Sequence, residues 1–353
     1  MHAALPQVEG VDWSRLAEWM DGQALPRGPI ADVEQLAGGT QNILLRFRRG
    51  GRAFVLRRPP VHKRKNSDET MRREARVLGA LAGSRVPHPG LIAACADESV
   101  LGAAFYLMEP VRGFNPTTGL PEPHSSHPEM RHRIGLSMVE AIAELGAVDH
   151  VAVGLADFGR PEGYLERQVE RWRAQLESYS ALAGYPGPEI PHLERTAAWL
   201  EHHRPREFAP GIIHGDFHLA NVLISPDSGE VAALVDWELS TIGDPLLDLG
   251  WLLATWPEPG GGGAGVVGVV PWDGFASAAE LVAHYAPRTS RKLDAIAWYE
   301  VLACYKLGII LEGTHARACA GQAPKNVGDA LHATTVGLFE RAARRIAGAE
   351  RAG

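Results

Sequence analysis

Three oxygen-bearing side chains with a distinctive spacing lie in the segments HGDFHLAN and DWE, in the second half of the chain. Asp216 and Asn221 stand five residues apart, and Asp236 follows Asn221 by fifteen residues. Carboxylate and amide oxygens are the ligands that Mg²⁺ prefers, usually together with substrate phosphates and water. The set therefore suits a site that handles a hard cation and a phosphate-bearing molecule.

The segment between Asn221 and Asp236 is predicted to bring these side chains together. PDSG at 226–229 has turn chemistry and lies between apolar, β-branched runs, which predicts a β-hairpin with strands at 222–225 and 231–235. Residues equidistant from a hairpin turn lie side by side. Asn221 and Asp236 are therefore expected to meet at the open end of the hairpin.

The three residues are expected to have two different roles. Asn221 and Asp236 would be the metal ligands, and Asp216 would remain able to accept a proton from a substrate hydroxyl. The competing interpretation is structural, because Asp216 and Asn221 could cap a turn and Asp236 could cap the next helix. The combined spacing, the hairpin and the preceding His-Gly favour the chemical interpretation.

The order of strand and helix patterns predicts an α+β fold with two parts. The first hundred residues are rich in strand patterns around one long helix, and helical patterns dominate after about residue 113. Only one strand pair, the hairpin, is expected in the second half. The predicted strands are 31–36, 41–48, 53–57, 91–95, 103–108, 222–225 and 231–235. The predicted helices are 12–20, a helix ending near residue 81, 128–147, 161–182, 191–203, 246–256, 291–312 and 326–347.

Two long segments, IIHGDFHLANVLI and LVDWELSTIGDPLLDLGWLL, resemble the aminoglycoside phosphotransferase family. The spacing of Asp216 and Asn221 is also similar to the catalytic loop of protein kinases. FVLRRPP and YLERQVERW resemble, more narrowly, the branch related to the kinase domain of acyl-CoA dehydrogenase fusion proteins. The resemblance runs from about residue 30 to about 345. It implies a protein-kinase-like two-lobe fold, with a small nucleotide-binding β-sheet lobe at 1–109 and a larger helical lobe at 110–353.

The same resemblance implies a site for ATP in the first lobe. Glycines in the segment GGTQN would let backbone N–H groups approach the phosphates. Arg57 stands where the family pattern has a phosphate-binding lysine, and Glu74 would pair with it, although Glu74 also suits a solvated helix face. Arg58 is interpreted as a surface charge. The implied nucleotide-binding residues are Gly38, Gly39, Thr40, Asn42, Arg57, Glu74, Glu109 and Val111.

Five further polar residues lie near these segments in the sequence. His214 is expected to brace the loop, whereas His218 would point away from it or lie at the substrate mouth. Glu238 could touch the metal or a cationic substrate. Asp244 is interpreted as a turn residue, and Asp248 as a buried carboxylate that accepts hydrogen bonds from loop N–H groups.

Composition excludes several classes of protein. The formal net charge of −7 argues against a nucleic-acid binder. The three cysteines have no metal-like spacing and predict no disulfide framework. No signal peptide and no membrane-spanning segment are predicted, so a cytoplasmic protein is expected. A monomer or a homodimer is a separate expectation.

The leading interpretation is an ATP- and Mg²⁺-dependent phosphotransferase that acts on a hydroxyl of a small molecule. The resemblance to the acyl-CoA dehydrogenase-linked branch implies a hydroxyacyl-CoA or hydroxy acid as the favoured acceptor. The helical region around YLERQVERW mixes Arg with Glu and lacks the acidic surface that a polycation needs. An aminoglycoside or another antibiotic is the alternative. A pseudokinase-like protein that binds a nucleotide without transfer is a further alternative, and a choline kinase-like activity is disfavoured because the tryptophans are scattered.

Overall fold

The structure is a computed structural model, and it describes residues 5–36, 42–257 and 267–352. The chain divides into two units, which interleave along the sequence. The first unit comprises Met1–Gly113 and Ala232–Ser240, and the second comprises Phe114–Val231 and Thr241–Gly353. We call them the N-terminal unit and the helical unit. The lobe boundary at 109/110 remains a prediction. None of the described helices is long and apolar enough to cross a membrane.

The N-terminal unit contains one antiparallel sheet of five strands in the order β1-β2-β3-β5-β4. Helix α1 begins after Asp12, whose carboxylate accepts hydrogen bonds from the N–H groups of Ser14 and Arg15. The elements of this unit are α1 (Trp13–Gly22), β1 (Ile30–Gln35), β2 (Ile43–Arg49), β3 (Arg52–Arg58), α2 (Ser67–Ala80), β4 (Leu91–Cys95) and β5 (Phe105–Met108).

Strand β3 has no exposed face along its second half, because Phe54–Arg58 are all buried. Phe54 and Leu56 belong to the apolar core that includes α1, and the alternation of a strand places Arg57 on the opposite face. The interpretation of Arg58 as a surface charge is wrong. Its side chain is 2% exposed, and its Nε donates to the Pro59 carbonyl at 3.0 Å. The apolar stem of arginine makes such burial possible.

The helical unit contains seven of the described helices and three short strands, with β8 crossing into the N-terminal unit at residue 232. Its elements, with β8, are α3 (Pro128–Ala147), α4 (Gln168–Ser178), α5 (Leu193–His202), β6 (Gly211–Ile213), β7 (Val222–Ile224), β8 (Val231–Leu234), β9 (Thr241–Gly243), α6 (Leu246–Thr255), α7 (Ala278–Tyr285), α8 (Ile296–Cys319) and α9 (Lys325–Ala352). Strands β7 and β8 form the two-stranded sheet predicted around PDSG, and the Ser225 N–H donates to the Glu230 carbonyl.

Two elements of the helical unit were not predicted from the sequence, and helix α4 begins at Gln168 rather than at residue 161. A second strand pair is present, because β6 and β9 are antiparallel partners. Each strand has only three residues, too few for an alternating pattern to stand out. Helix α7 was also missed, although Ser277 and Glu280 form a capping box at its start.

Candidate functional site

The segment HGDFHLAN directly follows β6, and a buried carboxylate in the first turn of α6 holds its beginning. Asp248 accepts hydrogen bonds from the backbone N–H groups of His214 (2.7 Å) and Gly215 (2.9 Å). Asp248 is 2% exposed, and burial raises its pKa although both N–H groups and the nearby His214 favour the charged form. Within the helical unit, Asp248 therefore braces the loop, as its interpretation from the sequence proposed.

We expect Asp248→Asn to lower the free energy of unfolding by about 1–3 kcal/mol. The asparagine side chain has one oxygen and one NH2 group, so one of the two buried N–H donors would face another donor and lose its hydrogen bond. Urea unfolding measures the change. Asp149→Asn is the matched control. Asp149 is exposed and accepts the Val151 and Ala152 N–H groups through one oxygen, which Asn retains. A loss no larger than that of Asp149→Asn would show that the Asp248 carboxylate is dispensable to the loop.

Asp216 and Asn221 are held together by two hydrogen bonds across the loop. The Asn221 side-chain amide donates to the Asp216 backbone carbonyl at 2.8 Å and to Asp216 Oδ2 at 2.9 Å. Because both partners are acceptors, the amide orientation is fixed with Nδ2 toward Asp216. The Asn221 Oδ1 atom is therefore the one left to bind something else.

His218 contacts Asp216, so the expectation that it points away from the loop is wrong, whereas its place at the substrate mouth stays a prediction. Its Nδ1 accepts the Ala220 N–H at 3.1 Å, so a neutral ring carries its proton on Nε2. Nε2 lies 3.3 Å from Asp216 Oδ1. Burial opposes the charge on Asp216. The hydrogen bond from His218 and the charges of His218, His214 and Lys306 outweigh burial and lower the Asp216 pKa to about 2.

Lys306 of α8 is a residue of this region that the sequence analysis missed. Its Nζ lies 3.3 Å from the Gly215 carbonyl oxygen and 4.3 Å from the ring centroid of Trp251. The ring of Trp172 is 5.6 Å away. Burial lowers the Lys306 pKa to about 8, although the charges of Asp216 and Asp248 oppose that shift. Nothing in the local sequence around Lys306 marks it, because helix packing brings it to the loop.

In the N-terminal unit, Arg57 joins two carboxylates. Arg57 Nε lies 2.8 Å from Glu74 Oε2, and Arg57 Nη2 lies 2.7 Å from Asp236 Oδ1. Arg57 is 6% exposed and Glu74 1%, so this part of the cluster is buried. The pair of Arg57 and Glu74 that the resemblance implied is therefore present, and the guanidinium also binds Asp236.

A tyrosine completes the surroundings of Glu74. The Tyr106 hydroxyl donates to Glu74 Oε2 at 2.7 Å from the neighbouring strand β5. Burial raises the pKa of Glu74 despite the charge of Arg57 and the tyrosine hydrogen bond. For Arg57, burial opposes the charge, but Glu74, Tyr106 and Asp236 outweigh it and raise the pKa. Arg57 is therefore positively charged at every accessible pH.

Asp236 lies in left-handed backbone conformation, with φ of 66° and ψ of 66°. Aspartate tolerates this region better than most residues, but the conformation still costs free energy, so the surrounding contacts must hold it. One carboxylate oxygen each from Glu74, Asp236 and Glu238 lies within 4.8 Å of the other two. The structure thus brings Glu238 to the Asp236 cluster.

Of the predicted phosphate loop GGTQN, Gly38, Gly39 and Thr40 lie outside the described residues. Asn42 is described, and it lines a cavity of about 440 Å³ in the N-terminal unit. The same cavity is lined by Asn66 and Thr70, at the beginning of α2, and by Glu238. The wall of this cavity is mixed, because Pro60, Met71 and Leu239 line it together with His62 and Arg64.

Glu109 and Val111 follow β5. The Glu109 N–H donates to the Gly90 carbonyl at 2.8 Å, and its side chain pairs with Arg52 at 3.1 Å. Of the two backbone polar groups of Glu109, the carbonyl is therefore the one left for a nucleotide base. In the part of the chain that the structure describes, no hydrogen bond involves the Val111 N–H.

The chain belongs to the phosphotransferase enzyme family (APH). The model of the phosphotransferase enzyme family (APH) matches residues 32–288. The chain is 31% identical over 302 residues to acyl-CoA dehydrogenase family member 10 of Mus musculus, and the match covers 84% of this chain. That match spans only 27% of the mouse protein, so the relative is much longer.

Solved structures agree with this assignment. A candidate aminoglycoside phosphotransferase of Ralstonia eutropha JMP134 is 31% identical, with a TM-score of 0.76 over 94% of this chain and 98% of that chain. The GDP complex of wild-type aminoglycoside 2'-phosphotransferase-IIIa is 15% identical, with a TM-score of 0.63 over 94% of this chain and 100% of that chain, and shows a shared fold. The chain is therefore a small-molecule phosphotransferase with the α+β, protein-kinase-like fold.

Proposed function

We propose that this phosphotransferase transfers the γ-phosphoryl group of ATP to a hydroxyl of a small anionic molecule, a hydroxyacyl-CoA or a hydroxy acid. The observation that carries the proposal is the position of Asp216, kept ionised and oriented by Asn221 and His218 on a loop braced by Asp248. In this role Asp216 accepts the proton as the hydroxyl oxygen bonds to the γ-phosphorus and ADP leaves.

Arg57 and the segment GGTQN are proposed to hold the nucleotide phosphates, with the backbone of Glu109 and Val111 beside the base. Glu74 acts through Arg57, because it fixes the guanidinium from its buried side. Arg57 retains further N–H donors for a phosphate in addition to those used by its two carboxylates. This geometry supports a phosphate-binding role for an arginine where the family pattern has a lysine.

Mg²⁺ is proposed to bind Asn221 and Asp236, and when bound it would neutralise charge on the phosphates. The donor atoms suit that ion. Asn221 Oδ1 is left over once Nδ2 has bonded to Asp216, and Asp236 keeps Oδ2 once Oδ1 has paired with Arg57. Glu238 is close enough to Asp236 to contribute a third oxygen.

The charges around the catalytic loop support an anionic acceptor. Lys306 lies against Gly215, next to Asp216 in the chain, and Arg171 is near enough to lower the Lys306 pKa further. Trp172 and Trp251 provide apolar surface beside the ammonium group. Two cations repel a polycationic aminoglycoside, whereas they attract a carboxylate or a CoA phosphate. The match to an acyl-CoA dehydrogenase family member is consistent with an acyl acceptor.

The deciding experiment measures nucleoside diphosphate release from Mg-ATP and Mg-GTP with hydroxyacyl-CoAs, free hydroxy acids, aminoglycosides and choline. Turnover with an acyl or hydroxy-acid acceptor, absent in Asp216→Asn, is expected. Turnover confined to aminoglycosides would overturn the acceptor assignment. If nucleotide binds but no acceptor in the panel gives turnover, the pseudokinase-like alternative gains support.

We expect kcat/KM for an anionic acceptor to fall as the pH rises above about 8, because Lys306 is charged only below its pKa. Lys306→Met should lower kcat/KM about 10- to 100-fold near pH 7, since a hydrogen bond to a charged group contributes roughly 1.5–3 kcal/mol. The same substitution should remove the alkaline limb, which is the fall of kcat/KM above about pH 8. Lys306→Arg should extend activity to higher pH. Lys325→Met, at a highly exposed position, is the control. An unchanged alkaline limb in Lys306→Met would exclude Lys306 from acceptor binding.

A further inference from the structure

A second group of ionisable side chains lies where α8 ends and α9 begins. Each helix carries a carboxylate followed three residues later by a histidine, Glu312 and His315 on α8 and Asp329 and His332 on α9. Residues three apart share one face of a helix, and carboxylate–histidine pairs with this spacing supply metal ligands in helical bundles. None of the four belongs to the segments assigned to phosphoryl transfer.

The four side chains converge between the two helices. His332 Nδ1 lies 2.8 Å from Glu312 Oε2, and His315 Nδ1 lies 3.9 Å from Asp329 Oδ1. One ligand atom each from Glu312, His315 and His332 lies within 4.8 Å of the other two. Tetrahedral zinc with bonds of about 2.0–2.2 Å needs donor atoms roughly 3.3–3.6 Å apart. Small side-chain adjustments would bring these donors to that spacing.

A buried ring nitrogen in this group lacks a hydrogen-bond partner. His315 Nδ1 is inaccessible to solvent, and no hydrogen bond reaches it from the described residues. The other ring nitrogen, Nε2, lies 3.7 Å from Cys319 Sγ, and Asp329 is too distant from Nδ1 for a hydrogen bond. An unsatisfied buried polar atom costs free energy, and a cation beside His315 would satisfy its Nδ1. Asp329 already pairs through Oδ2 with Lys325 at 2.5 Å, so Oδ1 is the oxygen that it presents to His315.

Neighbouring residues hold the group in place. Glu312 is fully buried, and the Tyr185 hydroxyl donates to its Oε1 at 2.8 Å, which leaves Oε2 facing His332. Gly328, just before Asp329, permits a close approach of the helices, because a Cβ there would lie 2.4 Å from the Ala318 Cβ. The backbone of α9 is thus set directly against the part of α8 that carries His315.

We propose that Glu312, His315, Asp329 and His332 bind one Zn²⁺ ion and thereby fasten α8 to α9. Two imidazoles with two carboxylates favour zinc over Mg²⁺ or Ca²⁺, which prefer sites made wholly of oxygen atoms. Four protein ligands fill a tetrahedral shell, so the site is structural. Tyr185 and Cys319 orient Glu312 and His315 from outside that shell.

The test uses the full chain, stripped of metal by a chelator and free of nucleotide. After Zn²⁺ addition and gel filtration, elemental analysis should find about one zinc per chain, and Co²⁺ should give the visible absorption of a tetrahedral complex. Zn²⁺ should also raise the melting temperature. His315→Ala and His332→Ala should each weaken Zn²⁺ binding about 100-fold or more, and Cys319→Ala about 10-fold, which is the effect of losing an outer partner.

His202→Ala is the matched control, because His202 is an exposed histidine whose ring lies 4.8 Å from that of His203. It should leave zinc content and affinity unchanged. Circular dichroism of each variant at low temperature identifies any loss of folding. Glu312→Gln, which keeps an acceptor for the Tyr185 hydroxyl, should also weaken Zn²⁺ binding while the chain stays folded. Absence of bound zinc in the folded wild-type chain would overturn the proposal. So would zinc retained by both histidine variants or lost only in Cys319→Ala.

Discussion

Asp216→Asn should reduce kcat about 10²- to 10⁴-fold while the affinity for Mg-ATP changes little. The substitution keeps the size of the side chain but removes the negative charge that accepts the hydroxyl proton, and general-base catalysis contributes about this factor. The amide retains an oxygen that can accept from Asn221, so the loop should stay folded. Coupled measurement of ADP release, with nucleotide affinity from calorimetry, gives both quantities.

The pH dependence provides a second check on Asp216. Its pKa is lowered to about 2, so its contribution to stability is complete above the ordinary value of 3.8 and is lost as pH falls through about 2. The wild-type kcat/KM profile should therefore show no acid limb from Asp216 between about pH 5 and pH 8. Asp227→Asn, in the exposed hairpin turn, is the control. An Asp216→Asn enzyme with near wild-type kcat would remove Asp216 from the role of base.

Arg57→Met should lower the free energy of unfolding by about 3–5 kcal/mol and abolish measurable transfer. Removing the guanidinium leaves the Glu74 charge buried without its partner, and breaking a buried ion pair costs about this amount. The nucleotide phosphates lose a cation at the same time. Chemical denaturation reports the first effect, and the KM for ATP together with kcat reports the second.

The double variant Arg57→Met/Glu74→Gln separates stability from function. Glutamine is uncharged and can still accept the Tyr106 hydrogen bond, so most of the lost stability should return. Activity should not return, because no cation has been restored. Arg52→Met is the control, since Arg52 pairs with Glu109 at an exposed position. Recovery of phosphoryl transfer along with stability would mean that Arg57 stabilises the fold and has no direct role in transfer.

The sequence predicted the parts of the site that local rules govern. The PDSG turn located the hairpin, and the burial of Asp248 beside loop N–H groups followed from the requirement that a buried carboxylate needs partners. The pairing of Arg57 with Glu74 came from the family resemblance, and the structure contains it. Helix α3 was predicted with its observed bounds because its apolar face is regular.

The missed features depend on tertiary packing. Lys306 reaches the catalytic loop from a helix about ninety residues later in the chain, and no spacing rule connects it to Asp216. Strands β6 and β9 have three residues each and pair across the whole loop and hairpin. Arg58 is a charged residue in a strand, and only the surrounding fold could show that its stem is covered.

The contact between Arg57 and Asp236 makes the guanidinium a tethered counter-ion for a proposed metal ligand. A free divalent cation that arrives at Asp236 must compete with this internal charge, so the metal alone should bind weakly. A nucleotide brings phosphates that can bind the remaining N–H groups of Arg57 and offset its positive charge beside Asp236. The cation and the nucleotide would then assist each other's binding, and the protein would discriminate against bare metal.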